Sequence, residues 1–387
     1  MALNLNRRQF LKGLAFAGAA ATLGACAKPV ETTVAGMPGR MVWTTYPVGT
    51  GTYNDIAAVA SMITTRSGAQ VRLMTGDTGI GRIAPLISGV ADYARVGDES
   101  LYSFEGDYEY TSEVWGPQPV RQLWTPPGSY GMAVLKNSGI DTVHDLRGKR
   151  LPYLLGMEPT NRKIDAIVQL GDMTLDDVTL VPIAFSEQTE ALKTGHLDGI
   201  YTNSVGAGVE ELNTRYPIHW LDFGGQTEAQ KEVWADLIPL GRVGSTSEAV
   251  GMGPDDSAEL MQFSLAMLTR ADVPEEEVYS VVKLMHDHHG DFKNSTPDAK
   301  FFAIDQIILD PLVVPFHPGV VRLLEESNLW TPDLDRRQKA LLEREILMQE
   351  EWPNFWDRHK SSEDPSTEWR TWKQENLPAL PPINDTV

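Results

Sequence analysis

Cysteine is almost missing from this 387-residue chain: Cys26 stands alone. A lone thiol excludes internal disulfides and thiolate metal cages. Basic side chains are scarce too. The 33 Lys and Arg face 53 Asp and Glu, a formal charge of −20. A surface this acidic cannot hold nucleic acid by neutralising phosphates, and it is repelled by anionic lipid. No apolar run is long enough to cross a bilayer. The N-terminal one, Gly13 to Ala25, has 13 residues against the ~20 a spanning helix needs. The catalytic patterns G-x-S-x-G and H-E-x-x-H do not occur. The run Gly76-Asp77-Thr78-Gly79-Ile80-Gly81 lacks the G-x-G-x-x-G order of a dinucleotide loop, so no nucleotide cofactor is expected.

What the N-terminus does contain is informative. Asn6-Arg7-Arg8-Gln9-Phe10-Leu11-Lys12 precedes the short apolar run, which ends in Leu23-Gly24-Ala25-Cys26. Twin arginines ahead of a mild apolar segment resemble a Tat signal, read by a translocase that exports folded proteins. Leu-Gly-Ala-Cys resembles a lipobox, in which the cysteine is lipidated and becomes the first mature residue. Residues 1–25 are therefore expected to be a Tat-type lipoprotein signal, and 26–39 a flexible tether. Their removal takes Arg7, Arg8 and Lys12 but no acid, moving the formal charge from −20 to −23. With Cys26 lipidated, a cysteine nucleophile is excluded as well.

The body reads as repeated strand–helix units. Met41–Thr45 is strand-like, and a helix from about Tyr53 to Thr65 carries Ile56, Val59, Ala60 and Ile63 on one face. A strand at 71–74, a short helix at 83–87 and a strand at 91–96 follow. The same grammar restarts near Tyr130, with strands at 132–135, 150–155, 178–183 and 197–202 and helices at 160–170 and 186–194. Such alternation indicates parallel sheets with helices on their faces. The apolar segment 263–269 suits either a strand or a buried helix. Helices are expected at 274–288, 318–326 and 332–352, the last broken by Pro353. Hydrophobic residues make up 42% of the chain, enough for two lobes with separate cores.

Four segments in this order carry a family resemblance. They are Thr50-Gly51-Thr52-Tyr53, the stretch from Thr75 to Ser88-Gly89-Val90-Ala91-Asp92, Ser138-Gly139-Ile140 through Asp145-Leu146-Arg147-Gly148-Lys149-Arg150, and Phe316-His317-Pro318-Gly319-Val320-Val321-Arg322. Over about 40–330 the chain resembles the TAXI family of solute-binding proteins that serve TRAP transporters. It departs from that family at Thr78-Gly79, Arg82 and Gly156–Arg162, and in its long tail. The resemblance implies an α/β, two-lobed periplasmic-binding-protein fold of type II-like design, with a hinge. Residues 40–132 plus 261–330 would form lobe 1, residues 133–260 lobe 2, and residues 331–387 a helical C-terminal extension. It also implies a periplasmic monomer that captures a small carboxylate-bearing solute, a glutamate-like amino acid or organic acid. Delivery to TRAP membrane subunits would follow, with no cofactor and no catalysis.

In open α/β sheets ligands sit beyond strand ends, where loops meet helix N-termini that favour anions. The candidate ligand-binding residues are accordingly Thr52, Tyr53, Thr78, Arg82, Thr160, Asn161, Arg162, Thr202 and Asn203. Arg82 and Arg162 could each grip a carboxylate with two N–H bonds, and Tyr53 could cover an apolar stem. Arg82 could equally pair with surface acids, which are plentiful. His286, His288 and His289 have metal-like spacing but sit at a helix end that favours histidine anyway, so a structural role is expected. The pairs Trp352/Trp356 and Trp369/Trp372 are expected to fasten the tail to the body. Two other readings stay open: a Tat-exported periplasmic enzyme, and a ligand sensor for a signalling partner. If Cys26 is the lipid anchor, Cys26→Ser should abolish lipid labelling and lipoprotein-type cleavage; unchanged processing would sink that reading.

Overall fold

The computed structural model describes residues 32–384. The signal segment, Cys26 and the first part of the expected tether lie outside the described residues. Residues 32–39 are not a free tether. The Thr33 amide donates to the Ser67 carbonyl at 2.9 Å, and Met37 is buried. The small, Pro/Gly-rich composition suggested flexibility, yet one apolar side chain and one backbone bond dock the segment.

The chain begins in lobe 1 with β1 (Arg40–Thr45), α1 (Gly51–Ser67), β2 (Gln70–Thr75), α2 (Gly79–Ile87), β3 (Tyr93–Val96), α3 (Glu99–Glu105) and β4 (Val120–Trp124). It then enters lobe 2 with β5 (Pro127–Leu135), β6 (Arg150–Leu154), α4 (Glu158–Leu170), β7 (Thr179–Ile183), α5 (Gln188–Lys193) and β8 (Gly199–Asn203). Lobe 2 continues with α6 (Ala207–Arg215), β9 (Ile218–Trp220), α7 (Glu228–Leu237), β10 (Arg242–Thr246) and β11 (Ala258–Ser264). The chain returns to lobe 1 with β12 (Ala266–Arg270), α8 (Glu275–Asp287), α9 (His289–Phe292) and α10 (Pro318–Glu326). It ends in α11 (Pro332–His359) and α12 (Pro365–Asn376).

Lobe 1 has the sheet order β2-β1-β3-β12-β4, and lobe 2 the order β10-β11-β5-β8 with β9 also on β5. This is a two-lobed α/β architecture, as expected. Pairing is parallel for β2-β1-β3 and for β6-β7. The pairs formed by β12, β5 and β11 are antiparallel. The expected all-parallel sheets therefore become mixed, because the returning strands run against their neighbours. The ambiguous segment 263–269 resolves into the end of β11, Leu265 and β12. The lobes exchange the chain at Thr125–Pro126 and at Leu265, where Ser264 pairs with Pro127. Sequence reading put these passages near 132 and 261, because Pro127 to Gly131 carries little strand propensity and gains its strand character from β11 and β8.

The C-terminal extension packs on lobe 1. Leu334, Leu341, Met348 and Phe355 recur every seven residues on α11, and all are buried in the lobe 1 core. The helix runs through Pro353 instead of breaking there. The missing proline bond costs about 3 kcal/mol. Aromatic packing on either side of it favours the continuous helix: Trp352 stands 5.1 Å from Trp369, and Phe355 4.8 Å from it. The tryptophan pairs do fasten the tail, and the buried Trp369 Nε1 donates to the Glu105 carbonyl at 2.7 Å.

Charges complete the attachment. Arg121 grips Glu345 through two N–H bonds of 2.5 and 3.0 Å. Glu105 accepts two from Arg344, at 2.8 and 2.9 Å, and one from Lys373 at 2.7 Å. Burial alone would raise the Glu105 carboxyl, but Lys373 and Arg344 outweigh it and hold the group at about 2. Removing one partner of a buried ion pair strands the other and costs about 3–5 kcal/mol. Glu105→Gln should therefore lower the melting temperature by several degrees and expose Trp369 fluorescence to quencher. An unchanged melt and quenching curve would show that apolar packing alone holds the extension.

Candidate functional site

A cavity lies where the lobes meet. Lobe 1 supplies Tyr46, Thr50, Thr52, Gly97 and Glu99; lobe 2 supplies Tyr130, Met157, Thr160, Lys163, Phe185, Tyr201, Thr202, Asn203 and Phe263, with Leu265 at the crossing. The cavity is small, about 30 Å³, with room for roughly two waters. A second chamber of about 100 Å³ adjoins it and shares Thr50, Phe185 and Thr202.

The start of α1 is one wall. Thr50 is extended (φ −76°, ψ 149°) and its hydroxyl accepts the Tyr53 amide at 3.1 Å. The Asn54 amide bonds the Thr50 carbonyl at 3.1 Å. The remaining first-turn amides, Gly51 and Thr52, have no intrahelical acceptor. Lobe 2 closes tightly on this turn. A Cβ on Gly51 would sit 2.9 Å from the Val205 carbonyl oxygen, and one on Gly206 (φ +135°) would sit 2.7 Å from the Gly51 nitrogen. Only glycine at both positions permits this approach.

Two buried ion pairs stand beside the cavity. Lys163 of α4 reaches Asp98 of lobe 1, with Nζ 2.8 Å from Oδ2 and both side chains essentially inaccessible. The approach is close, but Asp98 receives no well-directed hydrogen bond, so the pair is mainly Coulombic. Burial pushes the Asp98 carboxyl up, and the Lys163 charge opposes it. The second pair is Arg82 with Glu99, Nη2 to Oε1 at 2.7 Å. Arg82 Nη1 also donates to the Gly76 carbonyl at 2.8 Å, and Glu99 Oε2 accepts the Gly97 amide at 2.8 Å.

Of the sequence candidates, Thr52, Thr160, Thr202 and Asn203 come together on the cavity wall. The hydroxyls of Thr52, Thr160 and Thr202 make no hydrogen bond among the described residues. Asn203 is committed: Oδ1 accepts the Val205 amide at 2.7 Å and Nδ2 donates to Asp298 at 3.3 Å.

The other five lie off the cavity. Arg82 is fully buried behind Tyr46, its guanidinium 3.8 Å from that ring's centre, and is spent on Glu99. The acid it meets is internal, not a ligand, because α2 starts earlier than the glycine run suggested. Thr78 is the cap of that helix and accepts the Gly81 amide at 2.9 Å. Asn161 is held by both backbone groups of Leu154, at 2.8 and 2.9 Å. Arg162 lies over Tyr108, 4.5 Å from the ring centre. Tyr53 lies outside the cavity wall. Sequence reasoning missed Lys163, Glu99 and the aromatic walls. Lys163 was within reach, since it follows Thr160 by three and shares its helix face. Glu99 and the tyrosines carried no signal. In the histidine cluster, His289 Nε2 meets the Ala299 carbonyl at 2.9 Å and His288 Nδ1 stands 3.2 Å from Asp291.

One more carboxylate group matters electrostatically. Burial, then Glu99, then Glu158 of α4 push the Glu109 carboxyl up to about 8. An unfolded glutamate titrates near 4.3. Between those values the folded state holds the extra proton, so stability falls as pH rises from about 4.3 to about 8 and is lowest above. Glu109→Gln should flatten that decline in a melting-temperature profile from pH 5 to 9. A variant profile parallel to wild type would exclude Glu109 as its source.

A family model described as the NMT1-like family matches residues 44–327, and a model of the TAT (twin-arginine translocation) pathway signal sequence matches residues 4–24. No curated protein matches the chain significantly. Similar solved structures include the alkanesulfonate-binding protein SsuA from Xanthomonas axonopodis pv. citri bound to MOPS, at 13% identity and TM-score 0.41, covering 76% of this chain and 95% of that one. Another is the amino acid ABC transporter substrate-binding protein AbpA from Streptococcus pneumoniae bound to L-arginine, at 15% identity and TM-score 0.40, covering 69% and 94%. A third is a putative L-cystine ABC transporter from Listeria monocytogenes, at 11% identity and TM-score 0.40, covering 70% and 98%. At these identities the chemistry of those ligands does not transfer to this chain.

Proposed function

We propose that this chain, an exported solute-binding protein that belongs to the NMT1-like family, closes its lobes on a small carboxylate-bearing solute, a glutamate-like amino acid or organic acid. The observation that carries the reading is the composition of the interlobe cavity. Lys163 is the one cationic side chain among the lining residues, and the free hydroxyls of Thr52, Thr160 and Thr202 share its wall. A carboxylate entering an open cleft would meet the Lys163 ammonium, these hydroxyls and the free amides at the start of α1. Each favours an anion in a chain whose overall charge repels one. The aromatic walls would cover the solute's carbon frame.

Closure would follow by rotation about the paired crossings at Thr125–Pro126 and Leu265. The closed form would then pass its solute to a TRAP membrane permease, from a position tethered to the membrane by a lipid on Cys26. That partner, the anchor and a non-catalytic role rest on the TAXI resemblance and the Leu-Gly-Ala-Cys sequence.

The test uses a neutral replacement of the buried pair, Asp98→Asn with Lys163→Met, which strands no charge. A thermal-shift and calorimetric screen of C2–C6 carboxylates and acidic amino acids should find a stabilising ligand of the wild type. The double variant should fold and bind that ligand at least about tenfold more weakly, since a charged hydrogen bond is worth about 1.5–3 kcal/mol. Stabilisation by uncharged or cationic solutes alone would remove the carboxylate reading, and equal affinity in the double variant would remove Lys163 as the carboxylate's anchor.

A further inference from the structure

The extension is anchored on lobe 1, yet its last helix also meets the place where lobe 2 lands. The meeting point is Tyr108, a non-glycine residue at φ +53° just after α3. That left-handed conformation is unfavourable for a bulky side chain, so its neighbours must hold it. Two of them come from α12. The Tyr108 amide donates to Ser366 Oγ at 2.9 Å, and Arg370 Nη1 donates to the Tyr108 hydroxyl at 3.2 Å. The Arg370 guanidinium also lies 4.8 Å from the ring centre. From lobe 2, Arg162 brings its own guanidinium to 4.5 Å from the same centre.

Arg162 is itself steered by α7, where Nη2 lies 3.5 Å from the Asp236 carbonyl and 3.9 Å from its carboxylate. Neither Arg162 Nε nor Arg370 Nε has a hydrogen-bond partner. Two cations have thus given up part of their hydrogen bonding to face one ring. Beside this contact runs a groove of about 460 Å³, lined by Asp236 and Pro239 of lobe 2 and by Leu377 and Leu380 of the extension. The tyrosine links the two directly.

We infer that the C-terminal extension is a closure clasp: α12 fixes Tyr108 on lobe 1 as the platform that Arg162 of lobe 2 grips when the lobes close. Arg162 then acts as a positioning residue for the closed state and touches no solute. The clasp rests on the reading of the protein as a hinge-closing binder. In that frame the extension sets how often the lobes open, and so how long a solute is retained, without lining the cavity. A cation–π contact is weak enough to break repeatedly, which suits a latch better than a second buried ion pair would.

Two backbone bonds cross between the lobes and report opening without any solute. The Gly79 amide donates to the Gly156 carbonyl, and the Gly208 amide to the Gly49 carbonyl, both at 3.0 Å. Hydrogen exchange at these two amides should be measured in the full mature protein, its Arg162→Gln and Arg370→Gln variants, and the double variant. Each single change should speed both amides by about two- to thirtyfold, the range a cation–π contact spans. The double variant should be little faster than the faster single one, and lobe 1 sheet amides such as Leu268 should keep wild-type rates. Ser366→Ala serves in place of Arg370→Gln if that variant does not fold. Acceleration by Arg162→Gln with none by Arg370→Gln or Ser366→Ala would overturn the role of the extension. No acceleration in any variant would overturn the clasp altogether. A separate result, wild-type Gly79 and Gly208 exchanging only with global unfolding, would overturn the hinge reading on which the clasp stands.

Discussion

Most carboxylates buried among the described residues lie beside a cation, and cations are the scarcer kind; Asp55 and Asp298 instead meet the Thr296 hydroxyl and the Asn203 amide. An isolated buried charge costs several kcal/mol, so each pairing also fixes which elements must lie together. Arg82 with Glu99 ties α2 to the start of α3 behind the cavity. Lys163 with Asp98 ties lobe 2 to lobe 1. Arg121 with Glu345, Arg344 with Glu105, and Lys373 with Glu105 and Asp107 tie the extension to lobe 1. Most of the architecture that matters for binding follows from these placements.

Of these paired cations, Lys163 also lines the interlobe cavity, whereas Arg82 does not. Arg82 has a carboxylate, a carbonyl and a ring, and its one unpaired nitrogen, Nε, is buried with the rest of the side chain behind Tyr46. Lys163 has one poorly directed carboxylate contact, stands 4.4 Å from the Phe263 ring centre, and lines the cavity with Thr52, Thr160 and Thr202, whose hydroxyls are unpaired among the described residues. In the function we propose, a small anion would accept from these hydroxyls as well as from the ammonium. The glycine contacts between Gly51 and Gly206 make that wall possible, because any side chain would hold the lobes apart.

The fold class was legible because its causes are local. Apolar periodicity marked α1 through Ile56, Val59 and Ile63, and turn chemistry marked its start at Thr50. Four cavity residues, Thr52, Thr160, Thr202 and Asn203, were legible for the same reason, since they sit at strand ends or helix starts. Helix boundaries slipped where a cap had no apolar neighbour. α2 begins at Gly79, and so Thr78 became a cap and Arg82 an interior residue. The helices α6 and α7 carry polar, weakly periodic sequences and gave no clear signal. Pro353 read as a helix end because its local penalty is visible in sequence, whereas the packing of Trp352 and Phe355 on Trp369 is not.

The sequence by itself determined the export signal, the acidic character, the absence of thiol chemistry beyond Cys26, the repeated α/β units and the seven-residue apolar stripe of α11. Each depends on composition or on spacing within one element. Only the tertiary structure decided which side chains face the interlobe cavity, where the lobes exchange the chain, and that Tyr108 lies between an arginine of lobe 2 and one of α12. Those facts depend on residues far apart in the chain: Lys163 and Asp98 are 65 positions apart, and Tyr108 and Arg370 are 262 apart. Their meeting reflects the burial and charge pairing of the whole molecule, which no window of sequence contains.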